Sequence, residues 1–148
     1  RQLPYSIRSI RTADHLYLIN FTPDRAPMGD LLALEKGPMT FSELAGKTRL
    51  TYADVDAGPT KAWMILNRDK PEFKYHWNLG FGARPAEELY ELKSDLHQVN
   101  NLAGDTKYKA VKAKLRAQLM AELREHNDPR LNGDQFDYPP YCEEGLNK

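Results

Sequence analysis

Two strand-like runs open the chain. Tyr5 to Thr12 (YSIRSIRT) mixes β-branched and aromatic residues with two arginines, and His15 to Phe21 (HLYLINF) follows the polar pair Ala13-Asp14. Two such runs around a short polar turn predict a β-hairpin. Period-two alternation puts Leu16, Leu18 and Asn20 on one face and Tyr17, Ile19 and Phe21 on the other. Both faces are largely apolar, so this strand is expected to be central and covered on both sides. Prolines 23 and 27 then end it, because proline removes ladder donors and fixes φ.

Helical signals take over beyond Gly29. Short helices are expected at Asp30–Leu34 and Thr40–Ala45, the second opened by a Thr40/Glu43 capping box. Gly58-Pro59-Thr60-Lys61 opens a helix reaching about Asn67, with Pro59 in its first turn and Ala62, Trp63 and Leu66 as its buried stripe. Phe73, Trp77 and Phe81 recur at four-residue steps, which places three rings on one helical face. Arg84 precedes Pro85 and is therefore biased to extended backbone. It leads into a strand over Glu88–Leu92, an acidic turn Lys93-Ser94-Asp95 and a close Val99–Ala103. A long helix over about Thr106 to His126 comes next, capped by Asp105, with Tyr108, Val111, Leu115, Leu119 and Leu123 at three- and four-residue steps. Asn127-Asp128-Pro129 stops it. The tail Arg130–Lys148 is rich in Asn, Asp and Pro; either Phe136, Tyr138 and Tyr141 pin it to a domain surface or it is disordered.

These elements give an α+β class: a small antiparallel sheet of three to four strands on a long C-terminal helix, with a helical and irregular insertion between hairpin and later strand. Residues 1–129 form the domain and 130–148 an extended tail. At 148 residues the chain suffices for one domain. Lys+Arg and Asp+Glu are equal at 21 each, a balance that argues against a nucleic-acid binder. A single cysteine, Cys142, excludes an intrachain disulfide and a Cys-cluster zinc site. No apolar run approaches the ~18 residues of a membrane span. The first residues lack both Met and a signal-peptide pattern, as expected of the middle of a longer protein.

Candidate chemistry is sparse. Lys107, Lys109, Lys112, Lys114 and Arg116 crowd the start of the long helix, in the manner of a solvated amphipathic face. Asp54-Val55-Asp56-Ala57-Gly58 starts like a calcium loop, but Ile65 stands where its closing Glu belongs, so a turn leading into a helix is expected. Gly58-Pro59-Thr60-Lys61 lacks the glycine-rich lead of a phosphate loop. The four histidines have no metal-ligand spacing, and no Gly-x-Ser-x-Gly elbow occurs. Glu87 and Glu88 alternate across a strand and cannot share a proton. Nothing in sequence lowers the Cys142 pKa. Arg8 and Arg11, three apart on a strand, face opposite sides, so at most one looks into any given cleft. One is expected to pair with a carboxylate such as Asp14 or Glu91. The pair are the candidate substrate-binding residues; no catalytic or metal-ligating residue is assigned.

Several segments resemble the C-terminal region of sulfatases. Arg84–Ala103 is similar to the ELYDL-x-x-DP-x-E-x-x-NLA signature of that family, and Arg8–Leu18 to its R-x-x-RT-x-x-(Y/H)-K-Y-(I/L) hairpin. Asn20–Gly29 resembles the N-(F/Y)-x-PDR-x-P-x-G extension of the heparan N-sulfatase-like (sulfamidase-like) branch, and Gly58–Trp63 and Phe81–Tyr90 look like that branch too. The resemblance runs in order over roughly Leu3 to Pro129. It implies a parent hydrolase of sulfate esters or N-sulfates on glycosaminoglycan-type sugars, using a formylglycine nucleophile made from C/S-x-P-x-R and a calcium ion. That motif is absent here, so no cofactor is expected in these residues; calcium and formylglycine belong to a catalytic N-terminal domain of the same chain. The implied partners are that domain and a sulfated sugar, with no nucleic acid and no membrane. The implied location is periplasmic, secreted or lysosomal. A sheet missing its fourth strand is expected to self-associate through an exposed edge. The other reading is a stand-alone sulfated-glycan-binding or interaction module, with Trp63, Tyr75, His76 and Trp77 as a stacking platform.

Overall fold

The computed structural model describes residues 6–23, 28–29 and 37–133. They fall into two compact units, one of residues 6–23 and 84–133 and the other of residues 28–29 and 37–83. The expected helix at Asp30–Leu34 and the tail beyond Gly133 lie outside the described residues.

In the first unit β1 (Ile7–Arg11), β2 (His15–Asn20) and β3 (Glu87–Glu91) form an antiparallel sheet in the order β1-β2-β3. The hairpin turns where its polar pair predicts: Thr12 N–H donates to the His15 carbonyl, and the Thr12 hydroxyl accepts from the His15 N–H. In the register Ile10, Tyr17 and Leu89 share one row and Arg11, Leu16 and Tyr90 the next. Tyr17, Ile19 and Leu89 then point to one face, where Leu115, Leu119 and Leu123 of the long helix meet them and bury a single core.

That helix begins as a 3-10 turn, Thr106–Tyr108, with the Lys107 N–H capped by the Asp105 carboxylate, and continues as an α-helix over Lys109–Glu125. It ends at Asn127 in the left-handed region (φ 51). Asp128 N–H returns to Leu123 O and Asn127 N–H to Arg124 O, the paired bonds of a Schellman motif. Asp128 then caps the short turn Pro129–Asn132 through the Arg130 N–H.

β2 is central, as its composition predicts, but only its Tyr17 face is packed by the long helix. Leu16 and Leu18 on the other face are half-buried and floor an open groove. The strand after Pro85 starts one residue earlier than expected. Its outer edge is closed: Leu89 N–H donates to Asn101 Oδ1, Leu89 O accepts from Leu102 N–H, and Asn101 Nδ2 donates to Glu87 O. The sheet's other outer strand is β1.

The second unit is built of short helices, labelled here in chain order: α1 (Phe41–Gly46), α2 (Pro59–Leu66) and α3 (Lys74–Phe81); the long helix of the first unit is α4. The Thr40/Glu43 capping box opens α1, with both reciprocal bonds made. Pro59 opens α2, and the buried residues of that helix are Lys61, Ala62 and Ile65. Trp63 and Leu66, expected inside, are 41% and 45% exposed. Leu44, Tyr52, Ala62, Ile65 and Trp77 make the core. Trp77 stacks on Phe81 at 4.6 Å, and Tyr52 meets both rings edge-on. Phe73 departs from the expected stripe because Pro71 starts a 3-10 turn there, and its ring packs against Trp63 at 4.5 Å. α3 stops at Gly82, where a Cβ would lie 2.6 Å from the Asn78 carbonyl oxygen.

Candidate functional site

Polar side chains gather at two places in the sheet unit. On the helix-packed face, Glu87 sits where β3 begins, in the same row as Arg8 and Ile19. Its Oε1 accepts from the Tyr17 hydroxyl (2.5 Å) and from Arg116 (3.4 Å), and its Oε2 accepts from Lys112 Nζ (3.1 Å). Lys112 and Arg116 are four apart on α4, so one carboxylate bridges both. The Tyr17 hydroxyl, then Lys112, holds the Glu87 carboxyl below its usual range. Burial, then the bond to Glu87, pushes the Tyr17 phenol up to about 12. A carboxylate with three donors keeps its charge and is poorly placed to take a proton from a substrate. The cluster ties β2, β3 and α4 together.

Across the same row, on the outer strand β1, Arg8 Nε donates to Asp128 Oδ2 at 2.6 Å. The carboxylate partner expected for an arginine here was Asp14 or Glu91. Asp14 instead pairs with Lys93 at 2.7 Å, and the residue that meets Arg8 comes from the end of α4. Arg8, its bond with Asp128 and the Asp128 cap form one corner. Arg8 is committed to this corner on the helix side, and Arg11 is on the opposite face with Leu16 and Tyr90, as three-residue spacing on a strand requires.

That opposite face carries a groove of about 270 Å³. Leu16, Leu18 and Ile7 line it together with Tyr90, whose hydroxyl donates to Glu88 Oε2 at 2.8 Å. Arg84, Asn20 and Gln98 add polar atoms; Asn20 Nδ2 donates to the Arg84 carbonyl and its Oδ1 accepts from Thr22 N–H. Glu87 and Glu88 thus reach different faces, as their alternation predicts.

The polar residues of the 84–103 segment serve the backbone. Asp95 is buried, and its carboxylate accepts the N–H groups of Val99 (3.1 Å) and Asn100 (2.9 Å). Those bonds, the Asn100 one foremost, hold its pKa below the usual value. Asn101 clamps the β3 edge.

Of the cations at the start of α4, Lys112 and Arg116 are engaged by Glu87, and Lys107 lies 5.0 Å from the Tyr108 ring centre. Trp77 is buried, so it cannot belong to an exposed stacking platform; Tyr75 is 57% exposed. Among the described residues no three His, Cys, Asp or Glu side chains come together as metal ligands, and no helix is long and apolar enough to cross a membrane. Cys142 lies outside the described residues.

Sequence reasoning passed over Glu87 as half of a carboxylate pair and missed Asp128 and Asn101 as clamps. The 112/116 spacing of cations opposite a strand carboxylate was a usable signal for Glu87. Nothing local pointed to Asp128. No protein-family model and no curated protein matches this chain.

The folded-state carboxyls give one pH expectation. Glu87, Asp128 (through Arg8 first) and Asp95 are all depressed relative to an unfolded chain. Depressed carboxyls contribute stability that is complete above the unfolded pKa of about 4 and is lost as pH falls through the folded-state values. Urea midpoints should therefore hold level from neutrality to about pH 5 and fall below about pH 4. A midpoint that rises on acidification would contradict these ion pairs.

Proposed function

We propose that this chain is the non-catalytic C-terminal subdomain of a sulfatase of the heparan N-sulfatase-like branch. In this reading it forms one wall of the cleft in an enzyme that cleaves sulfate esters or N-sulfates on glycosaminoglycan-type sugars. The observation that supports it most is the use made of the signature segment. Its Asp95 and Asn101 hold the turn after β3 and the β3 edge by backbone hydrogen bonds, a scaffold's role. Arg11, on the open face of the sheet, is then the arginine placed to meet a sulfated substrate. Nucleophile, calcium and the residues that bind them belong to the catalytic domain of the parent enzyme.

Co-expression tests this reading. A catalytic domain bearing C/S-x-P-x-R from this branch should be inactive or insoluble alone and should bind this chain and gain sulfatase activity. Full activity without it, or no association, would sink the proposal. The glycan-binding alternative is favoured by the exposed rings of Trp63 and Tyr75. It requires heparin affinity from the isolated chain, falling steeply with salt.

The isolated chain is also proposed to self-associate through β1, whose charged residues blunt that edge only in part, since Arg8 is held by Asp128. Light scattering should give a mass above the monomer at high concentration, and Ser9→Lys on the edge strand should lower it. A monomer throughout would refute this.

A further inference from the structure

Lys61 is 3% exposed, on a helix whose expected buried stripe was Ala62, Trp63 and Leu66. Its ammonium donates to three backbone carbonyls: Thr48 O at 2.9 Å, Tyr52 O at 3.1 Å and Val55 O at 2.9 Å. An ammonium has three protons to give, and three oxygens of one loop are among the groups that converge on it. Carbonyls turned inward on one point repel each other unless a cation sits among them, and carbonyl rings are how proteins replace the hydration shell of potassium.

The loop needs that cation. Tyr52 is in the left-handed region (φ 46), a conformation that costs a side-chain-bearing residue free energy. Its carbonyl is one of the three, and its ring is buried edge-on against Trp77 and Phe81. The ammonium therefore couples backbone strain in the loop to the aromatic core. The sequence 54–58 that starts like a calcium loop contributes Val55 O to this cup. Its ligand is a monovalent charge on the protein's own side chain.

We infer that the Thr48–Val55 loop is a monovalent-cation site with the Lys61 ammonium as its built-in ion. Removing that side chain should leave a site that takes potassium or free ammonium from solution. Both match the size of the group removed and favour neutral carbonyl oxygen. Lithium is too small to span the cup, and choline is too large to enter it. This inference is independent of the sulfatase reading.

The test uses the whole chain with Lys61→Ala and Lys61→Met, melted in potassium, ammonium, lithium or choline chloride at equal ionic strength. Lys61→Ala should melt well below wild type in choline and regain about 4 °C or more in about 0.5 M potassium or ammonium chloride. Lys61→Met, whose side chain fills the cup without charge, should be destabilised alike in every salt, and wild type should not discriminate among them. If Lys61→Ala responds no more to potassium than Lys61→Met does, the inference is overturned. Should Lys61→Ala fail to fold in choline, refolding yield becomes the readout, and equal yields in potassium and choline overturn it. In wild type the Lys61 ammonium should give a slowly exchanging proton–nitrogen NMR signal; its absence removes the premise.

Discussion

Tyr17→Ala should destabilise the sheet unit by about 3–5 kcal/mol, the largest loss expected from any single truncation in it. Tyr17 is fully buried at the centre of the middle strand, in a row with Ile10 and Leu89 and against the α4 leucines. Removing the ring opens a cavity walled by a sheet and a helix, neither of which can collapse to fill it. Tyr17→Phe separates packing from polarity. It keeps the ring and removes only the hydroxyl donated to Glu87, so the cost should be about 1–2 kcal/mol. The hydroxyl is also the foremost reason that the Glu87 carboxyl is depressed. In Tyr17→Phe the Glu87 carboxyl should therefore titrate at higher pH, read from its carboxyl carbon resonance. The acid loss of stability should shrink, because less of the Glu87 shift remains to be lost. An unchanged Glu87 titration would mean that Lys112 and Arg116 alone set its charge.

Asn101→Ala should cost about 2 kcal/mol and change how the chain associates. One side-chain amide makes three backbone bonds: to Leu89 N–H and Ala103 N–H through its oxygen, and to Glu87 O through its nitrogen. Truncation leaves Leu89 N–H, in the buried middle of β3, with no acceptor from this loop. The Leu102 N–H to Leu89 O bond survives, so the loop is loosened without being freed. Asn101→Asp retains the two acceptor bonds and loses one donor, so it should be milder. Chemical denaturation ranks the three. Light scattering should show Asn101→Ala associating at lower concentration than the parent, since a second strand edge becomes available. Equal masses for both proteins would show that the loop still covers the edge.

The elements legible in the chain were those that announce themselves locally. The hairpin follows from two alternating runs around Ala13-Asp14, α1 from the reciprocal pair Thr40 and Glu43, and α4 from leucines at four-residue steps between Asp105 and Asn127. What escaped depends on residues far apart or on backbone atoms, to which hydropathy is blind. Lys61 lies outside the stripe that hydropathy picks, because a lysine is costly to bury without partners; its partners include carbonyls of a loop whose path only folding fixes. With Lys61 turned inward, α2 rotates its buried stripe and leaves Trp63 and Leu66 outside. Arg8 finds Asp128 across 120 positions of sequence, a pairing no local window contains.

The stems of the sheet carry a consequence for how the chain is assembled. Asn20 N–H donates to the Ala86 carbonyl and the Asn20 side chain to the Arg84 carbonyl, so the end of β2 and the approach to β3 are within one hydrogen bond of each other. Everything between them is, topologically, a single excursion that leaves and returns at one point. The entropy of closing such an excursion grows only with the logarithm of its length, about 0.6 kcal/mol per doubling. The closure term felt by the sheet and α4 therefore depends only weakly on the length of the excursion. Lengthening or trimming the chain at this junction should change the closure entropy of the sheet only slightly.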